Sequence, residues 1–290
     1  MTAATVSAAR PTAQRAPSAR LTFGGVLKSE WIKLWTLRST VWTLSITVVV
    51  MVGIALMFGF FMNLATENLS AEEAAATSAI LPSAAVVVSG YQMAQLVVGV
   101  LGVLIITGEY STGMIRSTFS AVPRRLPAFF AKLIVLFSIS FVVTLVGVAL
   151  SYLVTIPFVP QAVDLADGDS IRVLVGAALY VATIAALSLG IGTLLRSTAG
   201  SIFTVMGLLL VVPNILAIVT AFSDNVVIEA IYKYLPSLAG QQLMAMGGID
   251  PMTGAMATDG LSPWGGYGVL VAWTVAVLLA AAVVLKRRDA

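Results

Sequence analysis

The sequence predicts an all-α integral membrane protein with six transmembrane helices, and two observations carry the prediction. The first is length: six uncharged stretches, at about 41–62, 86–107, 133–156, 173–195, 200–221 and 264–285, can each be drawn as a helix. Crossing ~30 Å of hydrocarbon takes ~20 apolar residues, and every stretch is long enough. The second is charge. With the N-terminus placed in the cytoplasm, fourteen of the sixteen Lys and Arg residues fall on the cytoplasmic side, and only Arg172 and Lys233 fall outside. Of the thirteen acids, only Glu30, Glu109 and Asp289 lie with them. That sorting is the positive-inside bias, and a wrong number of crossings would scramble it. Both termini are therefore expected in the cytoplasm.

Composition agrees. Apolar residues make up 59% of the 290-residue chain and charged residues 10%, against about 25% charged in an ordinary soluble domain. Mean hydropathy is +1.01. No loop is long enough to bury a sizeable aqueous core. The net charge of +3 is explained by juxtamembrane anchors, so nucleic acid is not an expected partner. The chain has no Cys and no His, which excludes disulfides and any thiolate or imidazole metal site.

Residues 1–20 are Ala, Thr, Ser, Pro and Arg without apolar periodicity and read as a disordered cytoplasmic tail. The remainder, 21–290, reads as one membrane domain. Its first element is an amphipathic helix over 22–38 that does not span. On a helical wheel Leu27, Trp31, Leu34 and Trp35 share a face, with Ser29, Lys33 and Thr36 opposite. Tryptophan beside Lys and Arg at the edge of a span is the composition of a helix lying in the headgroup plane, with Lys33 turned to water and headgroups.

Span one carries nothing more polar than Thr and Ser. The external segment 63–85 holds Glu67, Glu72 and Glu73, and its Ala-rich middle suits a short helix. Span two places Gln92 and Gln95 on one face near its outer end. Interhelical hydrogen bonding is the first reading of such a pair, and lining of a pathway the second. Span three begins after Pro127 and stops before Pro157 and Pro160. Span four is rich in Gly and Ala, which permits close backbone approach. Pro213 in span five removes a backbone bond and kinks the helix, leaving neighbours to satisfy the freed carbonyl, and Asn214 beside it is a further candidate for the pathway. The long external segment 222–263 is amphipathic over 226–246, with Glu229 and Lys233 at i,i+4. It is too charged to cross and too apolar for a free loop, so short helices dipping into the outer leaflet are expected.

The usual engines of transport and catalysis are missing from the sequence. A phosphate-binding loop needs Lys after a Gly-rich turn, and no Gly-Lys dipeptide occurs. The central portions of the six spans hold no Asp, Glu, Lys or Arg, whereas ion-driven carriers rely on such groups. The chain is not expected to be an enzyme or to bind a cofactor of its own. Something else drives it, or it is passive.

The segment after span two reads Gly108-Glu109-Tyr110-Ser111-Thr112-Gly113-Met114-Ile115-Arg116-Ser117-Thr118, and Pro123-Arg124-Arg125 follows. It resembles the cytoplasmic loop after the second helix in permease subunits of type-2 ABC transporters, where a Glu, a Gly and an apolar pair introduce a coupling helix that docks on the ATPase. The stretch Ser29-Glu30-Trp31-Ile32-Lys33-Leu34 is similar to the in-plane elbow helix of bacterial members. The six-span layout matches as well, and the resemblance covers 22–290. It implies the membrane-domain fold of a type-2 ABC exporter in the bacterial plasma membrane. A second permease copy or paralogue would complete the pathway, and separate ATPase subunits would carry ATP and Mg. The coupling residues would be Glu109, Ser111, Thr112, Gly113, Met114, Ile115 and Arg116, and the elbow residues Leu27, Glu30, Trp31, Leu34 and Trp35. Substrates would be drugs, peptides or lipid-like molecules. Residue by residue, Glu109 reads either as a helix-end carboxylate paired with Arg116 or Lys132, or as a strut between elbow, loop and ATPase. The rival function is a passive immunity or scaffold protein without transport.

Overall fold

The computed structural model describes residues 22–287 apart from 71, 74–76, 78–81, 123–124, 160–162, 224 and 247–260. The tail read at 1–20 and most of the Ala-rich middle of 63–85 lie outside the described residues. What is described is helical. Helix α1 (Phe23–Thr36) precedes the first long helix, α2 (Arg38–Thr66). A short α3 (Ser83–Val88) leads into α4 (Tyr91–Ser111), and the small α5 (Met114–Ala121) links it to α6 (Leu126–Thr155). Then come α7 (Gly168–Leu195), α8 (Thr198–Met206), α9 (Val212–Ala221), α10 (Val226–Lys233), α11 (Pro236–Gln241) and α12 (Pro263–Arg287). Among the described residues six helices are long and apolar enough to cross a membrane: Arg38–Thr66, Ser83–Ser111, Leu126–Phe158, Gly168–Leu195, Thr198–Ala221 and Pro263–Arg287. Each contains or closely overlaps one predicted stretch, so the chain is a multi-pass, all-α membrane protein.

The fourth span is the hub, with 83% of its apolar window buried against 17% for the fifth. Helix α7 packs most extensively on α4, then on α6 and α12. Small residues make this contact: a Cβ on Gly102 would lie 2.5 Å from the Ala185 carbonyl oxygen, so only glycine lets the two backbones meet.

Contacts at the helix ends place Lys132, Arg125 and Arg196 at one end of the bundle. Lys132 at the start of α6 reaches Glu109 at the end of α4, and Arg125 donates to the Leu285 carbonyl at the end of α12 (3.3 Å). The guanidinium of Arg196, which ends α7 with a positive φ, lies 5.2 Å from the Tyr110 ring centre. At the opposite end Asp167 caps α7, accepting from the Ser170 amide. The exceptional Arg172 has a local reason to be there: it pairs with Asp169 and donates to the carbonyls of Leu243 (2.5 Å) and Ala245 (2.8 Å).

Those carbonyls end the segment expected to dip. Helix α10 lies on the surface, with Val226, Val227 and Ile231 exposed, whereas every residue of α11 is buried. A Cβ on Gly240 would meet Tyr180 and Leu270 at 2.6–2.8 Å. These partners sit twelve and seven residues into α7 and α12, or about 18 and 10 Å along them at ~1.5 Å per residue. The segment as described, 226–246, reaches down between the long helices rather than lying over their ends. Tyr91 donates to Gln241 of α11 at 3.2 Å and holds it in place.

In the fifth span the kink takes a specific form. Residues Gly207–Val211 adopt π-helical turns before Pro213, with the Val212 amide bonded to the Gly207 carbonyl. Asn214 donates its side-chain amide to the Leu210 carbonyl at 2.7 Å. Asn214 thus gives the Leu210 carbonyl a partner within the same helix.

Candidate functional site

Four charged side chains converge at the basic end, two on α1 and one each from α4 and α6. Lys132 is almost fully buried and donates to Glu30 Oε2 at 2.6 Å and Glu109 Oε1 at 2.9 Å. Lys33, with a third of its side chain exposed, donates to Glu30 Oε1 at 2.8 Å and Glu109 Oε1 at 3.2 Å. Glu30 and Glu109 are both buried. Two carboxylates and two ammoniums cancel, which is what permits them to leave water together. The Oε2 of Glu109 has no hydrogen-bond partner among the described residues.

The cluster's electrostatics follow from that packing. Burial pushes the Glu30 carboxyl up, but Lys132 and Lys33 outweigh it and hold the group below its ordinary value of 4.5. Burial pulls Lys33 down, but hydrogen bonding and attraction from Glu30 and Glu109 leave it above its ordinary 10.5. Both residues stay charged across the neutral range.

Local sequence explains how the parts reach one another. Thr22 caps α1, its hydroxyl accepting from the Gly25 amide at 3.2 Å, and Leu37 breaks the helix with an extended conformation. That break makes α1 a separate element rather than an extension of the first span. Its protein-facing side is Val26, Glu30 and Leu34, with Leu27 and Lys33 half-buried. The outward side carries Trp31 and Trp35, about half exposed, with ring centres 6.1 Å apart. The wheel reading is corrected here: Lys33 does not turn to water and headgroups but joins Glu30 and Glu109. A helix between bundle and bilayer has two faces away from bulk water, and a paired charge sits on the inner one.

After α4 the chain turns at Gly113, whose φ of +72° suits glycine. Gly108 is still helical, and its carbonyl accepts from the hydroxyls of Ser111 (3.1 Å) and Thr112 (2.7 Å). In α5, Ile115 is buried while Met114 and Arg116 are exposed, as are Ser111 and Thr112. A cleft of about 250 Å³ separates α5 from α1, lined by Ser29, Glu30, Lys33, Met114, Ser117 and Thr118 among others.

Of the residues read as site candidates, the structure brings Glu30 and Glu109 together and sets 111–116 beside them. Glu109 pairs with Lys132, not Arg116. Gln92, Gln95 and Asn214 lie elsewhere. Buried Gln95 accepts from the Tyr180 hydroxyl of α7, and half-buried Gln92 donates to Tyr91 at 3.4 Å. Asn214 is exposed on the flank of the fifth span. The contribution of Lys33 was missed; its sequence signal was Glu30 and Lys33 three residues apart on one helix. Among the described residues no group of His, Cys, Asp and Glu could hold a metal ion.

Fold and site together define a multi-span helical membrane protein with an ion-paired joint at its basic end. No protein-family model matches the chain, and a search of curated proteins finds no significant match.

Proposed function

We propose that this chain is the membrane-spanning permease subunit of an ATP-driven exporter of the type-2 ABC class. The observation that carries the reading is the ion-paired joint. Glu30, Lys33, Glu109 and Lys132 tie the amphipathic α1, the end of the second span and the start of the third into one unit. Helix α5 continues from α4 through the turn at Gly113 and faces that unit across the cleft, with Met114 and Arg116 exposed. A push on α5 would pass through short charge-assisted bonds to two spans and the elbow at once. The basic end is then cytoplasmic, by the positive-inside bias, and faces ATPase subunits that carry ATP and Mg. A second permease copy or paralogue completes the pathway, and the cargo is hydrophobic or amphipathic.

The test is co-purification of the tagged chain with a soluble ATPase, followed by ATP turnover of the reconstituted complex. Gly113→Ala and Arg116→Gln, both outside the buried joint, should assemble normally yet lower substrate-stimulated turnover. If no ATPase accompanies the chain, the passive immunity or scaffold reading takes its place.

A further inference from the structure

A second concave site, sharing no lining residue with the charged joint, lies on the flank where α6 and α12 stand apart over α7. It is a groove of about 370 Å³, walled by apolar residues such as Leu133, Phe137 and Leu278. That volume is at the small end of the ~300–1,000 Å³ range of small-molecule sites. The groove lies within the apolar spans. Ser138 is five residues inside the stretch 133–156 and Thr183 ten residues inside 173–195, or about 8 and 15 Å along them at ~1.5 Å per residue.

Its polar groups are unusual for that depth. The Thr183 hydroxyl donates its one proton to the Leu179 carbonyl at 2.7 Å. In the 3.0 Å contact between Thr183 and Tyr267, Tyr267 must therefore be the donor. The phenol oxygen keeps acceptor capacity with no proton left to give. Thr274 has likewise spent its proton on the Leu270 carbonyl. Ser138, exposed on the groove wall, makes no hydrogen bond among the described residues. Acyl chains offer Ser138 no partner and leave the acceptor capacity of Tyr267 unused, and a polar group without a partner in hydrocarbon is costly.

We infer that this groove binds a compact lipophile bearing a hydroxyl group, taken up sideways from the bilayer. Its hydroxyl donates to the Tyr267 oxygen and accepts from Ser138, while its apolar body fills the space beside Leu133, Phe137 and Leu278. An acyl chain would fill the space but make neither of these bonds. The inference does not depend on the coupling reading, because it concerns binding at a different place.

The experiment uses the full chain in phosphatidylcholine nanodiscs, with photoactivatable decanol and its methyl ether as probes. Labelling of groove peptides is normalised to labelling of the lipid-facing side of α2. The ether can accept from Ser138 but cannot donate to Tyr267. The alcohol should therefore label the groove roughly three- to tenfold more, the ratio expected from one hydrogen bond. Tyr267→Phe, which keeps the ring, should abolish that excess, and Ser138→Ala should lower both probes alike. Equal labelling by the two probes in the unaltered chain would mean ordinary lipid contact and overturn the inference. Survival of the excess in Tyr267→Phe would overturn it too.

Discussion

Replacing Lys132 by Met should destabilise the protein far more than replacing Lys33 by Met, although each lysine makes two bonds to the same pair of carboxylates. The difference lies in burial. Lys132 has 5% of its side chain exposed and Lys33 has 33%. Loss of Lys132 strips Glu30 Oε2 of its 2.6 Å partner. It also leaves two buried carboxylates facing one ammonium. Breaking a buried pair by removing one partner costs about 3–5 kcal/mol. Lys33 still bridges both acids, so the lower end, about 3 kcal/mol, is expected. Loss of Lys33 leaves Lys132 in place and lets water reach the vacated side, which costs on the order of 1 kcal/mol. The double variant Lys132→Met with Glu30→Gln removes one charge of each sign and should recover much of the loss, since contacting residues are not additive. Thermal unfolding midpoints of the purified chain in one detergent, read by tryptophan fluorescence, rank the variants. Equal effects of the two lysines, or a double variant no better than Lys132→Met, would refute the account of the joint as a charge-balanced buried unit.

The same joint predicts a pH dependence. Glu30 is held below its ordinary 4.5, so its contribution is full above that pH and lost as pH falls through the lower folded value. Lys33 is held above 10.5, so its contribution is full below that pH and lost at higher alkalinity. Unfolding midpoints should be level between these limits and fall on the acid side, with a smaller fall in Glu30→Gln. At the opposite end, Arg172→Gln removes charged donors from the Leu243 and Ala245 carbonyls, each worth about 1.5–3 kcal/mol. Hydrogen exchange should rise over 236–246 and stay unchanged in α4; protection unchanged over 236–246 would refute the clamp. The outward indoles predict that Trp31→Glu with Trp35→Glu detaches α1 from the interface, while Lys28→Glu, on an exposed site, does not. Spin labels at 31 should sit deeper than labels at 29, and equal water accessibility at both would refute an in-plane helix. Single cysteines in this cysteine-free chain should label from outside at Asn225 and not at Ser117.

Sequence by itself determined the six spans and the gathering of cations at one end. Both rest on quantities that add along the chain: the hydrocarbon thickness a helix must cover and the cost of carrying a charge through it. Glu109 and the turn at Gly113 were also legible, because an acid among basic neighbours and a glycine at a helix end signal locally. Tertiary structure alone decided the partnerships. Glu30 and Lys132 are 102 residues apart and Lys33 and Glu109 are 76 apart, and no periodicity relates them. Which face of α1 turned inward depended on where Glu109 and Lys132 emerged, since amphipathicity does not separate a face on lipid from one on packed protein. The depth of α11 depended on Gly240 finding space between Tyr180 and Leu270. Pairing of charges and filling of space belong to surfaces that exist only once the helices have packed, which is why residues far apart in sequence became neighbours at the joint.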